Sequence, residues 1–413
     1  MATQERLWID PAEVERYVLD LARHGGDGTG VRRLVYSPEW VAAQDLVARW
    51  LQEVGMEVRR DAVGNVWGRL EGTEGGPSIA TGSHIDSQNP GGRYDGALGV
   101  IAGILAVRAV RERYGRPRRT IEVVSLCEEE SSRFPSAAFW GSRAITGRST
   151  PEDAETMRGY GGETMAEAMR AVGLDPARIP EARRNDIDTW IELHIEQGPI
   201  LEQAGLPVAI VNGLPSIRHY LVRVEGRSDH AGAMPMDLRR DPMAGAAEMI
   251  SGIIGTALEM GRPAVTTVGR VLVEPNFPAI VPERVSFTID ARHADPAQRD
   301  RLYAAHEALL REVAERRGLN VSWEITADLP PCPADPELVR LLEDVAAEQG
   351  IPTMTMPSGA VHDTQRMAEI AKVAMIFVQS KDGRSHTPAE YTAPEHAAAG
   401  IQVLAAALHR LAY

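Results

Sequence analysis

Residues 120–130 read "TIEVVSLCEEE". The first seven are mostly apolar and β-branched, the composition of a strand buried on both faces. Three adjacent glutamates, Glu128, Glu129 and Glu130, close the run. Like charges repel, and the end of a buried strand is a costly place for unpaired carboxylates. The pattern therefore predicts that positive charge faces them.

Three further runs have the same form: "SIATGSH" (78–84), "DTWIELHIEQG" (188–198) and "VAMIFVQSKDGRSH" (373–386). Helical patterns lie between and before them. "VAAQDLVARWLQEVG" (41–55) has apolar residues at helical spacing and ends on Gly55. "ALGVIAGILAVRAVRERYG" (97–115) is strongly apolar and ends in basic residues and a glycine, which predicts a buried helix. Strands alternating with helices predict an α/β fold with a sheet covered on both faces.

The middle of the chain reads differently. "HYLVRVEG" (219–226), "AVTTVGRVLVEP" (264–275), "RVSFTIDARH" (284–293) and "NVSWEITA" (320–327) are strand patterns. Helical patterns at 241–260 and 296–318 separate them, in the order β-α-β-β-α-β of a split, ferredoxin-like α+β unit. Because the last strand of the first architecture comes only afterwards, the predicted parse is one discontinuous domain, 1–212 and 328–413, with a smaller domain inserted at 213–327.

At 413 residues the chain is long enough for two domains, and 44% apolar with 25% charged residues is an ordinary globular composition. A formal net charge of −14 argues against nucleic acid or an anionic membrane as partner. The two cysteines, Cys127 and Cys332, make no disulfide framework and suit a reducing compartment. The first eighteen residues lack the continuous apolar region of a signal peptide, and no run approaches the roughly 18 apolar residues of a membrane span. A cytoplasmic location is expected.

In open α/β sheets, ligands gather at the carboxyl ends of strands. His84 and Asp86 follow the first run, with Asp95 in the Gly-rich "GGRYDGALG"; the glutamates follow the second, His194 the third and His386 the fourth. Alone, each is more simply read as a satisfied polar residue or a solvated turn. Recurrence at four strand ends of one chemical type shifts the reading to a site for zinc or a similar divalent ion, and a shared carboxylate would suit two ions about 3.5–4 Å apart. Asp95 is the candidate bridge. Asp86 is expected to accept the other ring N–H of His84. Of Glu129 and Glu130, one would bind metal while its neighbour takes a proton from metal-bound water.

Five segments carry a resemblance: "GSHIDSQNPGGRYDGALGV" (82–100), "CEEESSRFPSAAFWGSR" (127–143), "ELHIEQGPILE" (192–202), "GRSDHAGAMPMDLRRDP" (226–242) and "GRSHTPAEYT" (383–392). Together they resemble the dinuclear amidohydrolases of the M20 peptidase-like superfamily, in the branch of N-carbamoyl-L-amino acid hydrolases and allantoate amidohydrolases. The resemblance implies an M20-type catalytic domain with an inserted lid and dimerisation domain, and hence a homodimer. It implies two divalent ions, zinc first, with manganese, cobalt or nickel also fitting, held by His84, Asp95, Glu130, His194 and His386. Glu129 takes the general-base position. His230 matches the histidine that reaches a partner subunit's site and stabilises the oxyanion, while Gln197, Asn276, Arg292 and Gly359 match contacts to a small carboxylate substrate.

The implied reaction is hydrolysis of a linear amide C–N bond in an N-carbamoyl-L-amino acid or a ureido acid such as allantoate, releasing ammonia and carbon dioxide. An aminoacylase or dipeptidase of the same superfamily, or a catalytically inactive metal-binding relative, are the alternatives. Ser131 and Val361 stand where the family has glycines, and Lys381 and Arg384 differ from the commoner choices before His386; Val361 in "SGAVHDT" bears on which substrate is accepted.

Overall fold

The computed structural model describes residues 7–413 except 27 and 29. Residues 1–6, part of the stretch read as lacking a signal peptide, lie outside the described residues. The chain divides into two compact units, one of Met1–Asn212 with Ala334–Tyr413, the other of Gly213–Pro333.

The first unit is built on eight strands: β1 (Glu57–Arg60), β2 (Val66–Leu70), β3 (Ser78–His84), β4 (Ile121–Leu126), β5 (Ile187–Ile195), β6 (Val208–Val211), β7 (Thr353–Met356) and β8 (Lys372–Val378). They lie in the order β1-β2-β4-β3-β5-β8-β6-β7. The four central strands, β4, β3, β5 and β8, are mutually parallel, whereas β2 meets β4 and β6 meets β8 antiparallel. Parallel pairing has one consequence that governs the site: the carboxyl ends of all four predicted runs emerge at the same edge of the sheet. The flanking strands β1, β2, β6 and β7 are short and were not legible as part of this pattern.

Every residue of β3 and β4 is buried, as strands covered on both faces must be. The crossover from β3 to β4 is the helix Ala97–Tyr114, whose first eleven residues are all buried. It packs on β3 and on the helix Pro394–Ala412. Gly115, at φ 78°, ends it.

In the second unit, Ser216–Glu225 lies between Arg284–His293 and Asn320–Leu329, all antiparallel, and Val265–Thr267 and Val271–Glu274 pair with the far side of Arg284–His293. Burial alternates strictly along Arg284–His293, so one face of this sheet is covered. The helices Pro242–Met260 and Pro296–Arg317 cover it, with Val222, Phe287, Leu302 and Leu310 in the core between. The unit ends at Pro333 rather than near 327. Cys332 and Pro333 pair antiparallel with Leu214 and Gly213, so the entering and leaving segments close on each other. A proline-rich "LPPCP" carries no local strand signal, which is why the sequence reading stopped short.

His306, fully buried on Pro296–Arg317, sits where burial pushes its imidazole down to about 4 from an ordinary 6.5. The unfolded chain therefore takes up a proton near pH 6.5 while the folded one resists until about pH 4, and the second unit loses stability as pH falls through that window. The loss should approach about 3 kcal/mol at its lower end. Hydrogen exchange of Ser216–Glu225 between pH 7 and 4 measures it, and His306→Phe should flatten the dependence.

Candidate active site

The site is assembled at the shared carboxyl edge of β4, β3, β5 and β8. β3 delivers His84, whose ring nitrogen Nδ1 lies 3.0 Å from the carbonyl oxygen of Asp86. β5 delivers His194, whose Nδ1 lies 2.9 Å from the carbonyl of Ile195. A carbonyl only accepts, so both rings must carry their proton on Nδ1 when neutral. Their Nε2 lone pairs then face one oxygen of Asp95, at 3.6 Å from His84 and 3.1 Å from His194. Lone pairs aimed at a carboxylate repel it unless a cation or a proton stands between.

The second oxygen of Asp95 faces another group. His386 Nε2 lies 3.2 Å from Oδ2 of Asp95 and 3.5 Å from Oε2 of Glu130. Among the described residues two candidate metal-holding groups result, His84–Asp95–His194 and Asp95–Glu130–His386, which share Asp95. Glu130 Oε1 is buried without a hydrogen-bond partner. An orphaned carboxylate oxygen, imidazole lone pairs directed inward and a carboxylate divided between two groups are the donor set that a pair of divalent ions requires, and the residues fit it.

The electrostatics agree. Burial works against ionisation of Asp95, but hydrogen bonds from His194, His386 and His84 hold its carboxyl well below the usual range. Burial, with the charge of Asp95, pushes Glu130 up to about 7. Burial also drives Glu129 well above an ordinary carboxylate, opposed by His84 and reinforced by Glu130. Against the cost of burial the neighbouring acids hold His84 well above its ordinary value, and the hydrogen bond to Asp95 pushes His386 up to about 9, so positive charge faces these carboxylates.

Asp86 does a different job from the one expected. Its main-chain carbonyl, not its side chain, takes the close contact with the His84 ring; the carboxylate is 3.7 Å from Nδ1. The carboxylate instead accepts the backbone N–H groups of Glu129 and Glu130, at 3.3 and 3.1 Å. It thereby ties the end of β4 to the end of β3. The three glutamates also separate. Glu129 Oε2 lies 3.7 Å from His84 Nε2 and Glu130 faces His386, but Glu128 turns away and accepts the backbone N–H groups of Arg133 and Phe134. Only two of the three carboxylates face the cluster. Glu128 and Ser131, at φ 48° and 53°, kink the chain on either side of the pair so that the two side chains diverge.

Gln197, at φ 60°, donates from Nε2 to Asp95 Oδ2 at 2.8 Å and so sits on the bridge itself. Gly359 is exposed on the loop after β7, where an added Cβ would meet nothing. The next residues matter more: His362 is buried with its ring centroid 4.4 Å from that of His194. His230, Asn276 and Arg292 belong to the second unit. There His230 Nδ1 accepts from the backbone N–H groups of Gly232 and Ala233, both at 3.0 Å, which leaves Nε2 as the protonated, donating nitrogen. Arg292 forks onto Asp290 at 2.9 and 2.8 Å, and Asn276 is held at φ 61°.

Several supporting residues escaped the sequence reading. Glu390 accepts the backbone N–H groups of Tyr94 and Asp95, at 2.8 and 3.0 Å, and its other oxygen lies 2.9 Å from the hydroxyl of Ser385. It binds the Asp95 turn to the His386 segment. Gln88 donates to Glu130 Oε2 at 2.8 Å. Glu192, fully buried two residues before His194 on β5, accepts from Ser83 and from Thr364. The available signals were weak: an acid inside "HTPAEYT", and the same-face spacing of Glu192 and His194.

Gly96 shows how tightly the first group is built. It sits at φ 61°, and a Cβ there would lie 2.4 Å from Nε2 of His84. Gly96→Ala should leave the fold intact by circular dichroism yet weaken retention of divalent ions by about 10–100-fold in chelator competition, the cost of a strained backbone plus a displaced ligand.

Comparison with known proteins places this geometry. Residues 80–410 match the model of peptidase family M20/M25/M40. The chain is 38% identical to an allantoate amidohydrolase of Bacillus subtilis over 96% of its own length and 97% of the relative's. It is 39% identical to an N-carbamoyl-L-amino acid amidohydrolase of Geobacillus stearothermophilus, over 98% and 97%. Among solved structures, an amidase of the hydantoinase/carbamoylase family from Burkholderia multivorans superposes with a TM-score of 0.90 at 32% identity, covering 98% of each chain. With an M20 peptidase-like α/β fold and matches across nearly its whole length, the chain belongs to peptidase family M20/M25/M40.

Proposed function

We propose that this protein is a metal-dependent amidohydrolase that cleaves a linear C–N bond in a small ureido or N-carbamoyl carboxylate, releasing ammonia and carbon dioxide. The single observation that carries the reading is the division of Asp95, one oxygen facing His84 and His194 and the other facing His386 beside Glu130. Relatives named for allantoate and for N-carbamoyl-L-amino acids support the substrate class.

Two divalent ions in this donor set would polarise the substrate carbonyl and lower the pKa of water into the neutral range. Zinc is the metal we propose, manganese, cobalt and nickel being compatible with the same ligands. The chain's own part is proton handling and orientation. Glu129, buried and shifted upward, is basic enough to take a proton from the attacking water and, once protonated, to deliver it to the departing nitrogen. Asp86 holds the main chain of Glu129 and Glu130 in place while this happens.

We assign the second unit to substrate contact. The tautomer of His230 suits it to donate to a developing oxyanion, and the planar fork that Arg292 presents to Asp290 is the one a substrate carboxylate would use. We propose a homodimer through this unit, supported by its exposed edge strand Asn320–Leu329 and by exposed apolar side chains such as Leu272 and Ile325.

Ammonia should be released from allantoate or from N-carbamoyl-L-amino acids, while N-acetyl analogues should yield neither acetate nor free amino acid; acetate and amino acid from the N-acetyl compounds, with no ammonia from the others, would make the protein an aminoacylase. Glu129→Gln should lower turnover by about 10²–10⁴-fold with the metal content unchanged. Full activity in that variant would remove Glu129 from the mechanism.

A further inference from the structure

A cavity of about 690 Å³ opens within the first unit directly beside Glu130, and none of the roles above uses it. Its wall is polar. Arg32, Ser132, Arg133, Tyr160 and Glu163 are among the residues that line it. Leu34 and Pro135 supply the aliphatic side chains. Glu130 belongs both to this wall and to the second metal-holding group, which sets the cavity beside that group.

The charges in the wall are not all internally satisfied. Arg133 donates from Nε to Glu163 at 3.0 Å and from Nη1 to the carbonyl of Val35 at 2.7 Å, which anchors it and directs one Glu163 oxygen. Arg32 has no ion-pair partner among the described residues and is exposed. Ser132 is 9% exposed, and its hydroxyl oxygen is buried without a hydrogen-bond partner. Tyr160, at 78% exposed, presents a large ring to solvent at the mouth. A buried hydroxyl left unsatisfied costs free energy, and an aliphatic group placed here would add the loss of water from Arg32. A group carrying both a carbonyl and N–H donors would instead satisfy Arg32, Ser132 and Glu163 together.

Building on the proposed function, we infer that this cavity is a specificity subsite for a second polar arm of the substrate, a planar amide or ureido group distal to the bond that is cut. Arg32 and Ser132 donate to its carbonyl, Glu163 accepts from its N–H groups, and Tyr160 covers its face. The site thereby favours a substrate with two ureido groups over an N-carbamoyl amino acid with an aliphatic side chain.

The test compares kcat/KM for allantoate, which has two ureido groups, with that for N-carbamoyl-L-leucine, using the full-length metal-loaded enzyme. The wild type should prefer allantoate, and Arg32→Ala should lower the allantoate-to-leucine ratio at least tenfold, mainly through KM for allantoate. Ser132→Ala, which removes only the orphaned hydroxyl, and Tyr160→Ala, at an exposed position, should move the ratio the same way. A wild type that cleaves N-carbamoyl-L-leucine as well as or better than allantoate, or variants that lower both substrates equally, would overturn the subsite and leave the amidohydrolase reading standing. Failure of the wild type to release ammonia from either substrate would overturn both.

Discussion

One buried carboxylate organises this protein's chemistry. Asp95 has to be charged to serve two groups at once, and in a water-poor pocket that charge is tolerable only because three imidazoles converge on it. The convergence in turn depends on four parallel strands ending at one edge. Had any of β3, β4, β5 or β8 run the other way, its polar terminus would emerge at the opposite end of the sheet. Strand direction, which is a matter of backbone hydrogen bonding, thus decides whether a metal-holding set exists.

Around that carboxylate the chain accepts local strain. Glu128, Ser131, Gln197 and His386 are non-glycine residues in the left-handed region, and each touches or flanks the cluster. Such conformations persist only where the surroundings over-determine them. Here the surroundings are buried polar clamps: Asp86 across β3 and β4, Glu390 across the Asp95 turn and the His386 segment, and Glu192 between β3, β5 and Thr364. Each clamp uses a carboxylate that accepts from backbone or hydroxyl groups, so its position is set by main-chain geometry rather than by flexible partners. The result is a donor set whose positions are fixed by the surrounding chain.

The two units divide the work differently. The first is rigid α/β scaffolding with fully buried central strands. The second covers one face of its sheet with two helices and leaves an edge strand and several apolar side chains exposed. His230 and Arg292 sit there on their own local frameworks, the first held as a donor by two backbone N–H groups, the second aligned by Asp290.

The ligand types were legible in the sequence because each is local: an apolar run states its own burial, and the polar residue that ends it states where the sheet's edge begins. His84, Asp95, His194, His386 and the pair Glu129–Glu130 stand out that way as candidates, and the choice of Glu130 within the pair came only from the family resemblance. The sequence could not tell that Glu128 folds back on the N–H groups of Arg133 and Phe134, because three identical side chains differ only in backbone torsion. Nor could it tell that the Asp86 carboxylate serves the glutamates rather than the imidazole, or that Ser385 meets Asp95 from 290 positions away. Composition and periodicity thus determined the class of fold and the kind of chemistry, since both follow from hydrophobic pattern and residue type. Which oxygen faces which nitrogen, and which acids hold the others still, was decided only in three dimensions, where strand pairing brings distant backbone groups within hydrogen-bond reach.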